Sequence, residues 1–124
     1  MKQSKICEVF SLFANISVNE AVKYMPLIYA AEKDVKKNIK NPMYLEEYAY
    51  ELELLCGAKV FYDYLLSRAS VENTSQSTVK VGSVQTSTQS KLSENVSYAK
   101  ELYTKYKLLS ANLFYDKEFL FGSV

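Results

Sequence analysis

The chain has 124 residues, which suits one domain with its own core. At 48% hydrophobic residues it excludes wholesale disorder, and 15 basic against 14 acidic side chains exclude a strong field for nucleic acid or an anionic membrane. No apolar run approaches the roughly 20 residues that a membrane span needs.

The first element is short. Ile6, Val9, Phe10 and Phe13 recur at i, i+3, i+4 and i+7, which predicts an amphipathic helix over residues 4–14. Glu8 interrupts the apolar stretch and no small-residue cleavage site follows, so the segment does not read as a secretion signal. Next comes SVNE, Ser17 to Glu20. A serine with a glutamate three residues on is a capping box, and it predicts a helix from Val18. Ala21, Met25, Ile28, Val35 and Ile39 then mark one face of a helix over 18–40. Pro26 lies inside it, where the missing amide and the ring's clash with the preceding turn predict a kink or a restart.

Asn41-Pro42 closes that helix: Asn tolerates the left-handed terminal position, and Pro suits the first turn of the next element. The third helix is expected over 43–69. Leu45, Ala49, Leu52, Cys56 and Val60 form one face, and Tyr48, Leu55, Tyr62 and Leu66 widen it, so it should be contacted on more than one side. Gly57 costs about 1 kcal/mol relative to Ala in mid-helix; it reads equally as a place where a neighbouring helix approaches closely or as a tolerated defect. A polar stretch follows, residues 71–90, expected as a loop or arm. At its centre VKV-GS-VQT places two β-prone arms around a Gly-Ser link, which predicts a short hairpin. Leu92, Val96, Ala99, Tyr103, Tyr106 and Leu113 line a fourth helix over 91–115, and residues 116–124 form an extended, apolar C-terminal tail.

The fold expected is therefore mainly α: one helical domain over 1–124, a small antiparallel bundle with a hairpin-bearing polar loop and a tail. Catalytic, metal and cofactor signatures are missing. There is no His to serve as base or zinc ligand, and three glycines cannot build a phosphate-cradling loop. Cys7 and Cys56 read as buried thiols in a reducing compartment. Glu46, Glu47, Glu51 and Glu53 read as a solvated acidic face near a helix start, and Lys33, Lys36, Lys37 and Lys40 as cations complementing a helix end. Eleven tyrosines are too many for the core of so small a bundle, and tyrosine favours interfaces, so part of this surface should be covered by neighbours.

The helical body, the polar excursion TVKVGSVQTSTQ, the closing helix SENVSYAKELYTKYKLLSANLFY and the ending KEFLFGSV together resemble the head–tail connector (neck adaptor) proteins of tailed bacteriophages and prophages. The KVGSV element and the FLFGSV ending are the most particular parts of the likeness. It implies a structural adaptor without enzymatic activity or cofactor, assembled in the bacterial host cytoplasm and carried in the virion neck. Such adaptors form a ring, commonly of twelve copies, between the portal and the tail or next neck protein. DNA passes through the ring without being bound specifically, and no membrane is involved. The partner-binding residues expected are Val79, Val81, Gly82 and Val84 in the loop and Phe119, Leu120, Phe121 and Val124 in the tail. The other class considered is a small intracellular helical interaction or regulatory module of antitoxin-like kind.

Overall fold

The computed structural model describes the backbone of residues 1–76 and 83–114, and side chains within 1–68 and 94–114. The chain is mainly helical, with no strand among the described residues. The elements in order are α1 (Gln3–Ala14), α2 (Val18–Ala21), α3 (Met25–Asn38), α4 (Tyr44–Glu47), α5 (Ala49–Gln76) and α6 (Ser83–Leu109). One 3₁₀ turn (Val22–Tyr24) joins α2 to α3, and another (Ala111–Leu113) follows α6.

Local chemistry explains most of these bounds. α1 ends at Asn15, whose backbone is left-handed at φ 56°, and the Ile16 amide returns to the Ser11 carbonyl at 3.0 Å. That 6→1 bond is a Schellman closure, and Asn is among the few side chains that tolerate the position. Ser17 then caps α2, its Oγ accepting from the Glu20 amide at 3.1 Å. The Glu20 carboxylate is engaged by Lys23 Nζ at 2.9 Å. Ser17→Ala should cost about 1 kcal/mol, read as a lower urea midpoint with an unchanged slope; no loss would mean that the cap is redundant.

The helix expected over 18–40 restarts at Pro26. The 3₁₀ turn absorbs the mismatch, and Pro26 becomes the second residue of α3, where its missing amide costs nothing. Asn41 does not take the left-handed position. Instead its Oδ1 accepts from the Met43 amide at 3.0 Å, an Asx-type turn that launches α4. The helix expected over 43–69 is broken at Tyr48, φ −115° and ψ 30°, and its second part runs on to Gln76. α6 in turn begins at Ser83, ahead of residue 91.

Those two extensions correct the expected loop. Residues 71–76 and 83–90 are helical, so the segment between the long helices shrinks to 77–82, which lies outside the described residues. Val84 to Thr86, read as the second arm of a hairpin, belong to α6. A lone two-stranded hairpin is marginal in water. Adding turns to a helix already nucleated further along costs no new nucleus.

α5 is the hub. α1, α3 and α6 all pack against it, and its buried residues Leu52, Leu55, Cys56, Ala58, Val60, Phe61, Tyr64 and Leu65 point to more than one side. α1 supplies Ile6 and Phe10, α3 supplies Ile28, Ala31 and Val35, and α6 supplies Ala99 and Tyr103. α1 lies tight against Gly57, where an added Cβ would stand 2.8 Å from Val9 Cβ. Gly57→Ala should therefore destabilise by about 1–3 kcal/mol despite the gain in helix propensity, through a forced retreat of α1. A melting temperature equal to or above that of the parent would show that the seam has room.

The turn after α6 folds back onto the end of α3. The Lys40 amide donates to the Leu113 carbonyl at 2.9 Å, and Phe114, almost wholly buried, forms a single antiparallel bridge with Ile39.

Candidate functional site

Of the side chains expected to bind partners, Val84 falls within α6. Val79, Val81, Gly82, Phe119, Leu120, Phe121 and Val124 lie outside the described residues. The geometry that can be described belongs to the body.

Its ionisable interior is structural in arrangement. Cys56 is fully buried, and burial first, then Glu32, Glu53 and Asp34, pushes its thiol far above the ordinary range. Burial, followed by Glu8, raises the Cys7 thiol as well. Protonated thiols without an adjacent base are poor nucleophiles. Both should resist alkylation in the folded chain and react only on denaturation; rapid labelling of Cys56 under native conditions would mean that α5 is accessible. Among the described residues no group of His, Cys, Asp and Glu is arranged to hold a metal ion, and no helix is long and apolar enough to cross a membrane.

Glu53 departs from the acidic face expected of it. It is only 9% exposed, and its Oε2 accepts from the Lys2 amide at 2.9 Å, so it caps α1 from across the core. Sequence spacing cannot show such a pairing, because the partners are 51 residues apart. Glu32 binds Gln3 Nε2 at 2.9 Å and faces Lys36 at 3.8 Å, so the start of α1 is also tied to α3.

The tyrosines divide. Tyr103 is fully buried, stacked on Tyr62 at 6.1 Å, with Lys59 and Lys107 Nζ each 5.6 Å from its ring centroid. Burial and then the charge of Asp63 hold its hydroxyl well above the usual phenol range. Burial, then Lys59, lowers Lys107. Lys59 is balanced by Asp63 at 2.9 Å. Tyr64 joins Phe10 and Tyr24 in a three-ring cluster. Tyr29, Tyr48, Tyr50 and Tyr98 are exposed, Tyr50 by 69%.

The outer surface carries other large apolar groups. Leu12 on α1 is 79% exposed, and Leu108 and Leu109, adjacent at the end of α6, are each 71% exposed. Between the end of α1 and the middle of α6 lies a cleft of about 310 Å³. Phe61, Tyr64 and Leu65 of α5 line it, with Phe13 and Ala14 of α1, Tyr98 of α6, and the polar groups of Asn15, Arg68 and Asn95. Arg68 donates to the Tyr64 hydroxyl at 3.1 Å and lies over its ring. Phe13 stacks on Tyr106 at 6.1 Å and bridges α1 to α6. Aromatic rings form much of its wall, but the surface it presents is more polar than apolar.

Comparison with family models, with curated proteins and with solved structures finds no match to this chain.

Proposed function

We propose that the chain is a non-enzymatic structural adaptor of a phage or prophage neck, assembling into a ring between the portal and the tail or next neck protein. The observation that carries this reading is the Leu108-Leu109 pair, exposed by 71% at the point where α6 ends. Scattered exposed leucines need no explanation. Two adjacent ones make the end of α6 a candidate for protein contact. The resemblance of the helical body and the FLFGSV ending to neck adaptors adds the kind of assembly. The virion neck is the location this implies, and portal protein, neighbouring copies and the next neck protein are the partners.

The test is the mass of the assembled protein. Full-length chain, alone and mixed with a phage portal protein, would be measured by native mass spectrometry. A cyclic species of one defined copy number, in either sample, supports the adaptor. Leu108→Glu together with Leu109→Glu should abolish it while leaving the helical circular dichroism unchanged, since both side chains are already in water. A stable dimer indifferent to portal protein would overturn the reading in favour of a helical regulatory module.

A further inference from the structure

We propose that the outer face of α3 is a contact surface for the phosphate backbone of duplex DNA, engaged without regard to sequence. The proposal goes beyond the adaptor reading and does not depend on ring assembly. Tyr29, Lys33, Lys36 and Lys37 are all exposed, and their spacing gathers them into one stripe of the helix, about 12 Å long at 1.5 Å per residue. Lys40, also exposed, follows just past the helix end. The two acids of α3, Glu32 and Asp34, are half-buried at the flanks of the stripe. Glu32 binds Gln3 Nε2 at 2.9 Å and faces Lys36 at 3.8 Å. Among the described residues neither Lys33 nor Lys37 has an ion-pair partner.

Helix stability does not require this row. The dipole rewards a cation only near the last turn, which accounts for Lys36 and Lys37 and not for Lys33. Lys33 stands three and four residues from two like charges, pairs that weaken a helix. An outside polyanion converts that repulsion into attraction. The kind of polyanion follows from what the face lacks. A membrane-surface helix sinks a broad apolar face beside its cations; that of α3, Ile28, Ala31 and Val35, is already buried in the core. An acidic peptide is held by pockets or a sheet edge as well as by charge, and the cleft of the body is lined by none of α3. Duplex DNA needs neither. It carries one charge per about 1.7 Å of axis, so several phosphates stand opposite a row of this length. Tyr29, 50% exposed, adds a hydroxyl able to donate to a phosphate oxygen. The net charge of +1 confines the attraction to contact range, within a Debye length of roughly 8 Å.

The experiment titrates the full-length chain into a fluorescein-labelled duplex of mixed sequence and follows anisotropy at about 50 and about 200 mM salt. About three phosphate contacts predict binding roughly 40-fold weaker at the higher salt. Lys33→Gln alone, outside the last turn, should lower the salt slope by about one, a change that a role in complementing the helix dipole would not produce. Lys33→Gln, Lys36→Gln and Lys37→Gln together should weaken binding by about tenfold or more at the lower salt. Lys5→Gln, Lys100→Gln and Lys105→Gln together make the same change in net charge at other exposed positions and should bind as the parent does. Gln matches Lys in helix propensity, and circular dichroism checks that each variant is folded. No anisotropy change at the lower salt would overturn the proposal. So would a slope that Lys33→Gln leaves unchanged, or a second triple variant as weakened as the first. Equal affinity of the parent for polyglutamate or for phosphatidylserine vesicles would overturn it too, assigning the face to anions in general.

Discussion

Phe10→Ala should lower the free energy of unfolding by about 3–5 kcal/mol, a fall in melting temperature of roughly 10–20 °C for a body of this size. Phe10 is fully buried and meets two other rings edge to face, Tyr24 at 5.9 Å and Tyr64 at 5.4 Å, which themselves meet at 4.9 Å. The three come from α1, from the 3₁₀ turn before α3 and from α5, so one cluster fastens three separate segments. Edge-to-face pairs add about 0.5–1.5 kcal/mol beyond the area they bury, and two of the three pairs vanish with Phe10. Leu12→Ala, two positions away and 79% exposed, should shift stability by no more than about 0.5 kcal/mol. Equal losses for the two would mean that α1 packs through its other face.

Tyr103→Ala should cost a similar amount, about 3–5 kcal/mol, for a different reason. Its ring is fully buried between α5 and α6, with Lys59 and Lys107 near it and Tyr62 stacked on it. Truncation leaves a cavity beside two cations that have lost a ring quadrupole. Tyr103→Phe retains the ring and both cation contacts and should lose only about 1 kcal/mol. Urea unfolding of the two variants separates the contributions. A Phe variant as damaged as the Ala variant would assign the role to the hydroxyl.

Local signals in the sequence were the readable ones. Ser17 announced the start of α2 because capping is a matter of three consecutive peptide units, and Pro26 announced a restart because its ring forbids a straight continuation. The width of the apolar face on α5 announced contact from several sides. Signals that depend on competition were misleading. VKVGSVQT has β-prone residues and a turn dipeptide, yet Val84 to Thr86 join a helix whose growth needs no partner strand. The break at Tyr48 has no Gly or Pro to mark it. Glu53 looked solvated because nothing in its neighbourhood reveals that an amide 51 residues away returns to it. The cleft was equally hidden: Phe13, Tyr64 and Tyr98 belong to three unrelated periodicities, and only the packing of α1 and α6 on α5 brings them together.

The hub position of α5 sets an order of events in folding and in breathing. α5 and α6 are separated by only six residues, so their pairing closes a short loop, whereas α1 must return to α5 across more than thirty. The antiparallel pair is therefore the natural early unit and α1 a late arrival. Hydrogen exchange should report the same hierarchy in reverse, the amides of α1 opening ahead of those in the centre of α5. When α1 lifts, the Phe61, Tyr64 and Leu65 side of α5 meets water, so brief excursions of one small helix would be the moments at which this chain is most prone to stick to another.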